Sequence, residues 1–106
     1  MSTAKSQVPA YSITEVEVVD AVGFKRYREL AQAAVAHYGG RFLVQGAKPI
    51  VAEGDWPPQQ NVVVIEFPSM DQLKAWYDSP EYRVAREVAR KALRRRLLFV
   101  ESVSAP

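Results

Sequence analysis

The sequence predicts an α+β fold in which a four-stranded antiparallel sheet carries its helices on one face. Three observations point there. Four stretches are rich in β-branched and aromatic residues, two others repeat apolar residues at spacings of three and four, and together they run strand, helix, strand, strand, helix, strand. A chain of 106 residues, 48% hydrophobic and 25% charged, is one domain of a size that buries a core without staples.

Each element has a local cause. Residues 10–18, AYSITEVEV, read as the first strand. Asp20 is placed to cap a helix over residues 21–38, where Phe24, Tyr27, Leu30, Ala31, Ala34, Val35 and Tyr38 form one apolar stripe and Gly39-Gly40 ends it. A strand is expected over Arg41–Gln45, interrupted at Gly46–Pro49 and resumed over Ile50–Glu53, with Pro49 at an edge or bulge because it lacks a donor. NVVVIEF, residues 61–67, is apolar on both parities and so needs cover on both faces. Ser69 and Gln72 form a capping box that opens a short helix to about Tyr77. Ser79-Pro80 starts a further helix whose inward stripe is Tyr82, Ala85, Ala89, Ala92 and Leu93. LLFVESV, residues 97–103, is the expected last strand. This order is the ferredoxin-like split βαβ arrangement. Helices on one side leave the other side of an apolar sheet uncovered, so a homodimer packed sheet to sheet is expected.

Composition excludes several classes. There is no cysteine, hence no disulfide, thiolate metal site or cysteine nucleophile. A lone histidine without spaced partners makes no metal centre, and no glycine-rich phosphate loop is present, so no metal and no cofactor are expected. Residues 1–9 read as a loose polar tail ahead of a single domain over 10–106; the start lacks an apolar leader and no run approaches the roughly 20 apolar residues of a membrane span, which fits a cytoplasmic protein without a membrane partner. Net charge is only +2, but Arg83, Arg86, Arg90, Lys91, Arg94, Arg95 and Arg96 are seven of the fourteen bases. RKALRRR at a helix end favours the helix dipole; nucleic acid is disfavoured because no exposed aromatic stripe is interleaved with the bases.

HYGGRFLVQG, EGDWPP, VVVIEFPSMDQLKAWYDSPEYRVAR and LLFVES together resemble the domain of unknown function 1330 family, over about Tyr11 to Glu101. The resemblance implies a dimeric α/β-barrel, the architecture shared with small antibiotic-biosynthesis monooxygenases and muconolactone isomerase. It implies no activity. The basic run is heavier than the resemblance leads one to expect.

Candidate site residues divide between packing and function. In EGDWPP, between two hairpin strands, either Trp56 folds over the sheet end or onto a dimer partner while Glu53 accepts backbone amides, or Glu53, Asp55 and Trp56 rim a pocket with a carboxylate anchor and an indole wall. His37 is a helix-end histidine with proton-transfer chemistry as the alternative. Arg86, four residues after Tyr82, is expected on the inward stripe, either paired with Glu66 or Asp78 or anchoring an anionic ligand. Trp76, Tyr77 and Tyr82, around the helix break at DSP, fill the core or line a flat apolar cavity, which Tyr27 would help to shape. Two functions follow: a cofactor-free enzyme acting on a small organic acid or aromatic, with Glu53 or His37 moving a proton, or a non-catalytic dimer binding a metabolite or a protein.

Overall fold

The structure is a computed structural model that describes residues 8–58 and 60–103. Four strands and three helices follow in the order β1 (Ala10–Val18), α1 (Ala21–His37), β2 (Arg41–Ala47), β3 (Asn61–Phe67), α2 (Met70–Tyr77), α3 (Pro80–Ala92) and β4 (Leu93–Glu101). The sheet order is β2-β3-β1-β4 with every neighbouring pair antiparallel, the ferredoxin-like topology that the element order predicts.

The expected caps are in place. The Asp20 side chain accepts from the Val22 amide, Ser69 Oγ from the Gln72 amide and Ser79 Oγ from the Tyr82 amide, so each helix start has one of its free amides satisfied. Gly23, in the first turn of α1, lets that helix lie against α3: a methyl there would come within 2.8 Å of Ala92 Cβ. At Gly46 the chain takes φ 85°, which glycine adopts without steric cost, and the β2–β3 register shifts between Gln45 and Ala47.

Three expectations need correction. No strand resumes over residues 50–53; the chain leaves the sheet after Ala47 and returns at Asn61, since beyond the bulge Pro49 offers no donor. The last strand spans 93–101 rather than 97–103. α3 passes directly into it, Leu93 already having extended angles (φ −132°, ψ 150°), because nine-residue β1 pairs along its whole length from Val18↔Leu93 to Ala10↔Glu101. RKALRRR is therefore not one helix end: Arg90 and Lys91 close α3, and Arg94–Arg96 are strand. The tail expected over residues 1–9 falls mostly outside the described residues; at its end the Pro9 carbonyl accepts from the Ser102 amide at 2.8 Å.

Strand alternation gives the sheet two different faces. Toward the helices point Ala10, Ser12, Thr14 and Val16 of β1, Val63, Ile65 and Phe67 of β3, and Leu93, Arg95, Leu97 and Phe99 of β4. The core there forms two clusters, one around Phe67, Leu73, Trp76 and Tyr82, the other around Val16, Ala89, Ala92 and Leu93; Tyr27 and Val63 touch both. The opposite face carries Ile13, Val62, Val64, Leu98 and Val100, and none of the helices among the described residues covers them.

Candidate functional site

Between the two core clusters lies a cavity of about 300 Å³, roofed by α1 and floored by the sheet. Its wall is mostly apolar, with Val16, Phe24, Val63, Ile65 and Leu97 among the lining residues. Polar amides from Gln32, Gln45 and Asn61 and the Thr14 hydroxyl also line it. Its charged residues are Arg28, exposed on α1, and Arg95, half-buried on β4; no carboxylate, histidine or lysine contributes.

Arg95 faces inward because it sits opposite Val16, whose side chain is in the core. Its Nη1 donates to Tyr27 Oη and to Tyr82 Oη, both at 2.9 Å, and the two phenol oxygens lie 2.6 Å apart. The guanidinium carbon also stands 5.2 Å from the Tyr27 ring centroid and 5.9 Å from that of Tyr82. One phenol gives its hydrogen to the other, so one O–H remains unspent, and so do the Nε and Nη2 hydrogens of Arg95; none has an acceptor among the described residues. Trp76, 1% exposed and in the same wall, has an indole N–H with no partner either. The cluster is rich in donors and holds a positive charge that no carboxylate among the described residues pairs.

Electrostatics keep it so. Burial, chiefly, pushes the Tyr82 hydroxyl well above the ordinary tyrosine range, with the neighbouring Tyr27 oxygen adding to the rise. Tyr82 is therefore a neutral donor across the range where proteins are stable. Burial opposes the charge of Arg95, yet the phenol oxygens that accept its hydrogens outweigh that and raise its pKa further.

Of the residues expected from sequence, Tyr27 and Tyr82 meet in this cavity. The others lie elsewhere. Arg86 is paired with neither Glu66 nor Asp78: its Nη1 donates to the Tyr77 carbonyl at 3.4 Å and its guanidinium stacks 4.4 Å from the Tyr77 ring centroid. A helix turns about 100° per residue, which sets residue 86 to one side of the stripe formed by Tyr82, Ala85, Ala89 and Ala92. Glu66 faces the helix-free side of the sheet, where the Arg41 guanidinium at 2.7 Å holds its carboxyl below the usual range. Tyr77 packs edge-on to Phe99. His37 is at the exposed end of α1, 3.6 Å from Glu81. Trp56 is half-exposed and donates to the Glu53 carbonyl at 3.1 Å, so EGDWPP closes on itself away from the cavity. Trp76, expected with Tyr77 and Tyr82 as an aromatic cluster, also lines the cavity, and Arg95 is the site residue that sequence reasoning did not select. Arg95 was hidden in the basic run, and strand alternation from β1 pairing was the signal that exposes it.

A ferredoxin-like protein with an apolar, cation-anchored cavity is the class that the fold and the site define. The chain belongs to the family described as Domain of unknown function (DUF1330), whose model matches residues 9–103. No curated protein matches it in sequence. Among solved structures it is similar to a protein of unknown function from Rhodopseudomonas palustris (18% identity, 92% of this chain and 85% of that one, TM-score 0.76). SnoaB, a cofactor-independent oxygenase from Streptomyces nogalater, is 9% identical over 92% of this chain and 96% of its own, with a TM-score of 0.62. A dimeric protein of unknown function and ferredoxin-like fold from Bacteroides fragilis is 17% identical over 89% of this chain and 96% of that one, with a TM-score of 0.61. At these identities the likeness is one of fold.

Among the described residues no cluster of histidines and carboxylates is placed to hold a metal ion, and no helix is long and apolar enough to cross a membrane.

Proposed function

We propose that this protein is a homodimer whose protomers each bind a small organic anion, with its apolar body between sheet and helices and its anionic oxygen on Arg95. The observation that carries this reading is the unpaired guanidinium of Arg95 with its two phenols, set in an apolar cavity without a single carboxylate. A partly buried charge without a counter-ion is costly, and a carboxylate or phenolate oxygen supplies both the charge and the acceptors that the cluster lacks. A volume of about 300 Å³ limits the ligand to the size of a substituted aromatic or short-chain acid.

Chemistry at this site is that of an electrophilic donor cluster. It stabilises negative charge on a bound oxygen, with the Tyr27–Tyr82 pair donating a hydrogen bond to that oxygen. Abstraction of a proton by a wall residue has no support, since His37 and Glu53 stand outside the cavity. Likeness to a cofactor-independent oxygenase is compatible with such a site but supplies no reaction for this chain.

The test is NMR titration with benzoate and, as its neutral counterpart, benzamide. Benzoate should bind saturably and shift the Trp76 indole N–H, with benzamide much weaker. Arg95→Gln should weaken benzoate by about 10- to 150-fold, the range that loss of charged hydrogen bonds implies. Tyr27→Phe, a milder change, should weaken it less. Equal binding of the two probes, or full benzoate affinity in a folded Arg95→Gln protein, overturns the reading.

A further inference from the structure

The cavity has a second polar end. Strand register places three helix-facing residues in one row across the sheet: Arg95 on β4 is opposite Val16 on β1, and Val16 is opposite Asn61 on β3. Arg95 and Asn61 thus stand two strand spacings apart, about 10 Å between backbones, with apolar Val16 between them. In the next row Val63 of β3 is opposite Gln45, which carries the cavity on to the edge strand β2. The other residues of β3 on this face, Val63, Ile65 and Phe67, are all apolar, so Asn61 is the exception on its strand. Gln32 of α1 lines the same end, and neither it nor Asn61 nor Gln45 makes a side-chain hydrogen bond among the described residues.

Exposure orders the two ends. Trp76 and Tyr82, beside the Arg95 end, are buried, whereas Gln32, Gln45 and Gly46 are exposed, which makes the amide end the mouth. A side chain added at Gly46 would meet nothing within 4 Å, so the backbone does not close that mouth. A ligand whose anionic oxygen has reached Arg95 therefore leaves its other end among amides. An amide both donates and accepts, which suits a neutral hydroxyl or carbonyl. The charge at this end is Arg28, exposed and 5.8 Å from the Phe24 ring centroid, where solvent and salt screen it.

We infer that the cavity selects an aromatic acid that is polar at both ends, with its carboxylate on Arg95 and a neutral hydroxyl or carbonyl at the opposite end of the ring held by Asn61 and Gln45. This rests on Arg95 as the anchor of the bound anion. It adds the residues that determine specificity and the part of the ligand that they read.

Titrations with 4-hydroxybenzoate and 4-methylbenzoate, followed at the Trp76 indole N–H, test it, since the two acids share a carboxylate and are nearly the same size. The hydroxy acid should bind at least about fivefold tighter, the effect of one or two neutral hydrogen bonds. Asn61→Leu, and separately the exposed-site change Gln45→Leu, should shrink that ratio toward one. Arg95→Gln should instead weaken both acids by the same factor and leave the ratio standing. Equal binding of the two acids, or a ratio unchanged in both leucine variants, overturns this inference while the anchor at Arg95 survives. Terephthalate binding tighter than 4-hydroxybenzoate also overturns it, by giving the mouth to a second anion. Failure of both acids to bind removes the anchor itself, and this inference with it.

Discussion

Arg95 and Arg86 are the same residue type nine positions apart, and the difference in what they do is a matter of backbone period. A helical period carried through residues 90–96 puts three successive arginines around a helix end, all solvated. A strand period sends Arg94 and Arg96 to one face and Arg95 to the other, beside two buried phenols. The aromatic half of the site was readable because Tyr27 and Tyr82 lie on helical stripes; its cationic half was not, because no glycine or proline separates Ala92 from Leu93 to announce the change of period. The raised hydroxyl of Tyr82 has a measurable consequence. Above about pH 10 an unfolded tyrosine has lost its proton while Tyr82 in the fold keeps it. The unfolded state then binds fewer protons, so stability falls as pH rises. This contribution is fully present below pH 10 and disappears above it, with a limiting slope of about 1.4 kcal/mol per pH unit. Urea denaturation at pH 9 and 11 should therefore show a smaller loss in Tyr82→Phe than in the wild type; identical pH slopes contradict the assignment.

At the level of elements, the caps and glycine punctuation were enough to place β1, α1, β3, α2 and the start of α3, because each cap signal is local in sequence. β2 and β4 were misjudged because their ends are set by pairing with a distant strand: β4 is as long as β1 makes it, and β2 stops where Gly46 and Pro49 break the ladder. Close packing of α1 on α3 yields a prediction in which two effects oppose each other. Ala for Gly inside a helix ordinarily gains about 0.5–1 kcal/mol. At Gly23 the added methyl meets Ala92 Cβ at 2.8 Å and Asp20 Oδ2 at 3.1 Å, and an alanine methyl has no rotamer with which to yield. Overpacking of this kind costs about 1–3 kcal/mol. Gly23→Ala should thus lower the unfolding free energy by about 1–2 kcal/mol in urea melts, and a variant as stable as the wild type would mean that α1 shifts freely against α3.

The whole molecule is a slab of 49 × 37 × 15 Å, with helices on one broad face and bare sheet on the other. That bare face is organised for contact. Leu98 and Val100 are 55% and 40% exposed and stand beside Ile13 and Tyr11 of β1, while Val62 and Val64 continue the apolar strip on β3. Two of its carboxylates are neutralised within the protomer, Glu15 by Arg96 at 2.9 Å and Glu66 by Arg41 at 2.7 Å, on opposite flanks of the strip. A second copy related by a two-fold axis would set apolar strip on apolar strip, with the Glu15–Arg96 and Glu66–Arg41 pairs at its flanks. Leu98→Glu places a carboxylate at that centre and leaves the cavity on the other face untouched. The dimer dissociation constant should rise at least 100-fold, about 2.7 kcal/mol, with the circular dichroism of the fold and the response to benzoate retained. Light scattering that finds the wild type monomeric at micromolar concentration, or Leu98→Glu still fully dimeric, removes the sheet-to-sheet assembly and leaves each cavity to function within a single chain.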